Sequence, residues 1–416
     1  MSDSEKTPVA TSAASSQVSP HLDREWLRQM LDQLCEFDRE SATQGEHDAA
    51  AWIVERLADE RVEGRVEVEQ VHGTYWWPLG LGVAAGALAG IASLKARTRK
   101  GRLAAAGLAG AAAAGIASDY PPGPRWIRKL LPKRPTHNVV AELGPPDAEK
   151  TIVIVAHHDS AHAGLLFHPA VPDNLSRRFP ILWDDAETSP PMMFPVLGGP
   201  VAVALGSLIG SRLLTKIGTF LSAGAVPVFA DIGARPAVPG ANDNGTAVVL
   251  LLALARALKE RPTEKSRVML VSTGSEESFS EGMKAFGERH FPELPPESTF
   301  FCCVDTLGSP HLNLLHGEGF LKMHEYPADL IEMTEEIARE LGIWLYPNLR
   351  LHNGTDGLES LVAGYPTISM CSVTDYKAPA NYHWKTDTPD RVDYGTLADA
   401  IRLTEGLVRR LDQRWL

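Results

Sequence analysis

The sequence predicts an α/β protein built on a mixed central sheet, and three observations carry that prediction. Residues 151–156, 268–271 and 300–304 are apolar, β-favouring runs without charge, and each leads into a polar cluster, as buried strands of an α/β sheet do. A turn-forming run, Pro239-Gly240-Ala241-Asn242-Asp243-Asn244-Gly245-Thr246, stands before an apolar helix at 247–258. The strand at 137–143 is joined to the one at 151–156 through only a short Gly-Pro-Pro-Asp turn. A parallel crossover needs about a dozen residues, so this connection implies antiparallel pairing and places His137 at the same edge as His157.

The remaining elements follow in order. Residues 1–21 are rich in Ser, Thr and Ala and read as a disordered tail, without the basic start and apolar centre of a secretory signal. Apolar residues at helical spacing, including Trp26, Leu27, Met30, Leu31 and Leu34, predict a helix from Leu22, and Ala49, Ala50, Ile53, Val54 and Leu57 line a second at 46–59. Residues 65–71 nearly alternate, which predicts a half-exposed strand. Residues 327–341 predict a helix, 364–370 a turn and strand, and 394–411 an amphipathic closing helix.

Two apolar segments interrupt this pattern. Residues 76–94 carry no charge, Lys95, Arg97, Arg99, Lys100 and Arg102 crowd a short turn, and 103–118 are again uncharged, mostly Ala and Gly. Residues 192–210 and 217–230 repeat the design around Arg212 and Lys216. Both segments leave the fold at the His157 edge and read as one accessory module of helical hairpins at the mouth of the site. Membrane helices are the first reading, since spanning needs about 20 apolar residues and small residues pack helices closely. A soluble Ala/Gly-rich lid is the rival. The run Gly80-Leu81-Gly82-Val83-Ala84-Ala85 lacks a preceding strand and a later ribose-binding acid, so it is no dinucleotide site.

A net charge of −12 argues against a nucleic-acid partner, which requires a basic face. Cys35, Cys302, Cys303 and Cys371 form no CxxC pair and imply no disulfide framework. The chemistry-bearing residues lie at the strand ends and in loops: His157-His158-Asp159-Ser160, Asp243, Glu276-Glu277, Asp305, and Tyr382-His383 in a late loop. Taken singly, each has a structural explanation as a cap, a solvated acid or a turn histidine.

Taken together, in this order from about Arg24 onward, the motifs resemble the two-zinc aminopeptidases of metallopeptidase family 28. The resemblance implies a three-layer α/β/α phosphorylase/hydrolase-like fold, with the peptidase domain at 22–75, 119–190 and 233–416 and inserted hairpins at 76–118 and 191–232. It implies two Zn²⁺ ions: His157 and Asp305 on the first, Glu277 and His383 on the second, Asp243 bridging. It makes Glu276 the general base, Asp159 the group orienting His157, and Tyr382 the residue that steadies the tetrahedral intermediate. Gly354-Thr355-Asp356-Gly357 departs from the family's Ser-Asp-His segment, with Gly357 in place of the histidine.

The chemistry needs these residue types. Paired cations about 3.5 Å apart lower the pKa of a water and stabilise an oxyanion, and mixed imidazole and carboxylate ligands suit zinc. A carboxylate off the metal must take the water's proton and give it to the leaving amine. The expected function is therefore removal of N-terminal residues from peptides, at a membrane reached through 76–118 and 191–232. The catalytic domain is placed in the cytoplasm, because the signal sequence is missing and the basic residues at 125–134 balance the hairpin tips. The alternatives are a single-zinc glutaminyl cyclase and a catalytically silent membrane scaffold.

Overall fold

The computed structural model describes residues 22–179 and 187–416; the expected tail at 1–21 lies outside the described residues. The first half contains α1 (Arg24–Leu34), α2 (Gln44–Asp59), β1 (Gly64–Val71), α3 (Trp76–Lys95), α4 (Arg99–Asp119), β2 (Arg134–Leu143), β3 (Lys150–His157), α5 (Ala170–Arg178), α6 (Phe194–Ile209) and α7 (Arg212–Ala234). Then come α8 (Thr246–Glu260), β4 (Ser266–Thr273), α9 (Glu281–His290), β5 (Thr299–Val304), β6 (His311–Glu318), β7 (His324–Glu325), α10 (Ala328–Leu341), β8 (Tyr346–Leu351), α11 (Gly357–Val362), β9 (Thr367–Val373) and α12 (Tyr394–Gln413).

The strands form one mixed sheet in the order β1-β2-β4-β3-β5-β9-β6-β7, with β8 beside β6. Its centre, β4-β3-β5-β9, is parallel, and β2 and β6 close it with antiparallel pairing. Period-two alternation divides the strand side chains between two cores. Ile152 and Ile154 of β3 pack with α1, α8 and α12, while Val153 and Val155 face Met283 and Phe286 of α9. Helices on both faces of the sheet make the three layers, and α8 is buried almost all round, which explains its run of Leu, Val and Ala.

One expectation is corrected. β2 and β3 run antiparallel but do not pair, because β4 lies between them. A short connection fixes direction without fixing adjacency. Here the chain turns at Gly144, with φ +87°, beneath the first residue of β4, where a Cβ would stand 2.5 Å from the Ser266 carbonyl oxygen. The geometric consequence survives: the pairing Val139↔Ser272, beside His157↔Thr273, brings His137 and His157 to one edge.

Helices α3, α4, α6 and α7 pack on one another as a single module. Their backbones approach closely through small residues: a Cβ at Gly90 would lie 2.0 Å from Thr219 Oγ1, and one at Gly218 would lie 2.6 Å from the Gly199 carbonyl. The outward positions are apolar, with Leu88, Leu208, Ile209, Leu213 and Phe220 all exposed. By length and composition, α3 and α7 are the two helices among the described residues that suffice to cross a bilayer; α6 is shorter.

The module is locked to the sheet by a buried charge network. Arg128 is fully buried, grips Asp119 at the end of α4 through two bonds of 2.7 and 3.0 Å, and pairs with Glu281 at 3.0 Å. Arg125, also buried, donates to the Phe279 carbonyl at 2.5 Å. These arginines are therefore structural and leave the charge comparison on which the cytoplasmic placement rested. That placement has no support in the structure.

Arg128→Ala strands Asp119 as a buried unpaired charge and leaves Glu281 to His72, Gly73, Ser278 and the more distant Arg125. It is expected to lower stability by about 3–5 kcal/mol, read from the midpoint of chemical denaturation. The exposed Arg97→Ala is the control and should change stability by less than about 0.5 kcal/mol.

Candidate active site

Five elements deliver side chains to one point at the carboxyl edge of the parallel strands, where α/β sheets collect their ligands. His157 ends β3, Glu276 and Glu277 follow β4, Asp305 follows β5, Asp243 sits in the turn before α8, and His383 lies in the loop ahead of α12. All eight residues singled out from the sequence meet here. His157, Asp243 and Asp305 form one group of potential ligand atoms, Asp243, Glu277 and His383 a second, and His157, Glu276 and Glu277 an overlapping third.

The shared carboxylate is the centre of this geometry. Asp243 Oδ1 lies 3.4 Å from His157 Nε2, and its Oδ2 lies 3.3 Å from His383 Nε2. Asp305 Oδ1 is 3.8 Å from His157 Nε2, and Glu277 Oε2 is 3.2 Å from His383 Nε2. Each oxygen of Asp243 thus faces a different imidazole, each with its own second carboxylate.

Electrostatics reach the same point. Four carboxylates converge on two imidazoles in a buried site. Burial, joined by repulsion from Asp356, Glu277 and Asp305, pushes Glu276 well above the usual carboxyl range. Burial lifts Glu277 to about 7. Burial alone would depress His383, but Glu277 and Asp243 hold it up at about 10. Such crowding of acids is what a bound cation relieves. Glu277 Oε1 and Asp305 Oδ1 are buried without a hydrogen-bond partner, as atoms reserved for a metal would be. The donor set of imidazole and carboxylate fits zinc.

The supporting residues are equally specific. The carboxylate of Asp159 accepts from the backbone N–H groups of Glu276 (2.9 Å) and Glu277 (3.1 Å) and from Ser41 Oγ (2.6 Å). Its backbone oxygen is 3.1 Å from His157 Nδ1, against 3.4 Å for its carboxylate. Asp159 therefore holds the glutamate pair at least as firmly as it holds the histidine. His158 is buried and bonded to Ser272 Oγ at 3.0 Å; burial drives it down to about 3, so it stays neutral and structural.

Several positioning residues had no role in the sequence reading. Asp387 accepts from the backbone N–H groups of Asn242 (2.8 Å) and Asp243 (3.0 Å). Asn242 and Asn244 accept from Gly308 N (2.6 Å) and Thr306 N (3.0 Å), tying the Asp243 turn to the loop carrying Asp305. Fully buried Arg39 donates to the carbonyls of Leu34, His158, Pro239 and Gly240, joining the loops that follow β3 and precede Asp243. Arg39 carried no local signal, since three of its four partners are remote in sequence; the asparagines and Asp387 stood inside quoted motifs. Ser275, Thr306 and His383 adopt φ near +50°, an uncommon conformation for such residues that clusters at functional sites.

The departure at Gly357 also finds its reason. A Cβ there would meet Tyr326 Oη at 2.9 Å and Cys303 Cβ at 3.0 Å, so a histidine has no room. Tyr326 fills the space and donates to buried Glu318 at 2.5 Å. Tyr382 stacks on His383, with ring centroids 3.7 Å apart, and its hydroxyl is 3.4 Å from Asn353 Nδ2.

Fold and site together define an α/β protein with a buried cluster of potential metal ligands at the carboxyl edge of its sheet. Residues 225–408 match the model of peptidase family M28. The matched segment contains Asp243, Glu276, Glu277, Asp305 and His383, while His157 precedes it. Among solved structures, the chain is similar to a Zn-dependent exopeptidase from Parabacteroides distasonis, at 12% identity and TM-score 0.56, covering 94% of this chain and 99% of that one. It is also similar to a glutaminyl cyclase from Bacteroides thetaiotaomicron, at 13% identity and TM-score 0.56, over 94% and 99% of the two chains. A leucine aminopeptidase precursor from the same organism aligns at 13% identity and TM-score 0.55, over 94% and 98%. No curated protein sequence matches. At such identities the structural likenesses speak for the fold alone.

Asp387→Ala removes the acceptor that fixes the Asp243 turn. Zinc affinity, measured by competition with a chromophoric chelator, is expected to fall about 10- to 100-fold with the fold retained by circular dichroism.

Proposed function

We propose that the protein is a two-zinc aminopeptidase that hydrolyses N-terminal peptide bonds. The observation carrying this reading is Asp243, whose two oxygens face two separate imidazole and carboxylate sets. His157 and Asp305 would hold one ion, Glu277 and His383 the other, and Asp243 both. When bound, zinc supplies Lewis acidity and a water of lowered pKa.

The chain's own residues do the remainder. Glu276 belongs to neither set containing Asp243; its Oε2 stands 3.9 Å from His157 Nε2 and its Oε1 accepts from Ser280 Oγ at 3.3 Å. Free of those sets, it takes a proton from the attacking water and returns it to the departing amine. Asp159 holds Glu276 in place through its backbone. Tyr382, fixed by its stack on His383, offers its hydroxyl to the oxyanion. The similarity to glutaminyl cyclases keeps single-zinc chemistry as the contrast, and metal stoichiometry separates the two.

Residues 76–118 and 191–232 act as the membrane-associated module, with its apolar exterior in the bilayer, and the other described segments form the peptidase domain. The apolar outer surface of α3, α6 and α7 supports this assignment. After an alkaline carbonate wash, the protein is expected to stay in the membrane pellet. Recovery as a soluble monomer without detergent would contradict the assignment.

Glu276→Gln is expected to retain two zinc ions by elemental analysis while kcat on an N-terminal amino acid amide falls about 10²- to 10⁴-fold. Unchanged turnover in the variant, or one zinc per chain in the wild type, would contradict the mechanism.

A further inference from the structure

One wall of the cavity over Asp243 is formed by the second inserted hairpin, chiefly α7, and the remainder by the catalytic domain. The cavity encloses about 480 Å³, within the range of about 300–1,000 Å³ that buries a drug-sized ligand. Asp243, Glu276, Glu277, Asp305 and His383 belong to its lining, so it opens directly on the reacting centre. From α7 it takes Leu221, Gly224, Ala225, Val228 and Ile232, which recur at intervals of three and four and form one helical face. That stripe runs about 16 Å along the helix, well beyond the reach of a natural aliphatic side chain. Phe220 also lines the cavity and is 77% exposed, as Met192 is 45% exposed, so the rim lies on the apolar outer surface of the module.

We propose that this site takes amides whose acyl side carries a long, unbranched apolar chain, laid along α7 with the scissile carbonyl over Asp243. The proposal rests on the hydrolase reading and names its substrate class. One water is consumed: the C–N bond breaks, a C–O bond forms, and a carboxylic acid and an amine leave without redox change. Only the module supplies the α7 stripe, which accounts for an apolar insertion standing over a polar catalytic centre. The stripe has room for a chain because Gly224 leaves it open: a Cβ there meets nothing within 4 Å.

The test uses the full-length, zinc-loaded protein in detergent and p-nitroanilides of alanine, norleucine, 2-aminooctanoic and 2-aminododecanoic acid. Each added methylene should raise kcat/KM about fourfold until the stripe is filled, leaving the longest substrate at least about a hundredfold above norleucine. Gly224→Phe should cut that ratio at least tenfold. A maximum at norleucine with decline beyond it would overturn the proposal. Equilibrium binding to Glu276→Gln separates this idea from the hydrolase reading. There, 2-aminododecanamide should bind tighter than norleucinamide by calorimetry even if no substrate in the series is hydrolysed, an outcome that would overturn the chemistry alone. Equal binding of the two amides would overturn the chain-length proposal itself.

Discussion

Acid crowding around Asp243 is the constraint on which the rest of the structure depends. Four carboxylates and two imidazoles are driven into a buried volume where like charges repel strongly and water cannot screen them. Such a cluster persists only if the scaffold over-determines each position and a cation completes the charge balance. The scaffold meets the first condition with fixed hydrogen bonds: Asp159 under the glutamate pair, Asp387 under Asp243, the asparagines between two loops, and Arg39 across three segments. Residues with φ near +50° beside the glutamates, beside Asp305 and at His383 show the backbone held in place there by its surroundings.

The inserted module shares that scaffold. Arg128 joins the end of α4 to Glu281 at the start of α9, just beyond the glutamate pair, so the helices are fastened to the loop that carries Glu276 and Glu277. Motion of the module would be felt at the site. The glycines and serines that bring the four helices together leave Leu, Ile and Phe among the residues that face outward. The module and the cavity are thereby one arrangement, with a polar reaction centre inside and an apolar approach to it.

Much of this was legible in the sequence, for physical reasons. Buried parallel strands are uniform apolar runs, so β3, β4 and β5 and the polar residues following them stand out against their surroundings. Motif order brought His157, Asp243, the glutamate pair, Asp305 and His383 into one site, and the structure places them together. What escaped depends on partners distant along the chain. The insertion of β4 between β2 and β3 is a sheet-ordering decision that a short connection cannot reveal. The four carbonyls around Arg39 come from segments up to 201 positions away. Arg125 and Arg128 read as a basic linker because two of their acid partners, Glu281 and Glu359, lie far along the chain on other elements.

The most direct test of the central claim is anomalous diffraction at the zinc edge from crystals of the zinc-loaded protein. The account predicts two peaks, one on each side of Asp243, the first against His157 and Asp305 and the second against Glu277 and His383. A single peak, or zinc held without contact to Asp243, would contradict it.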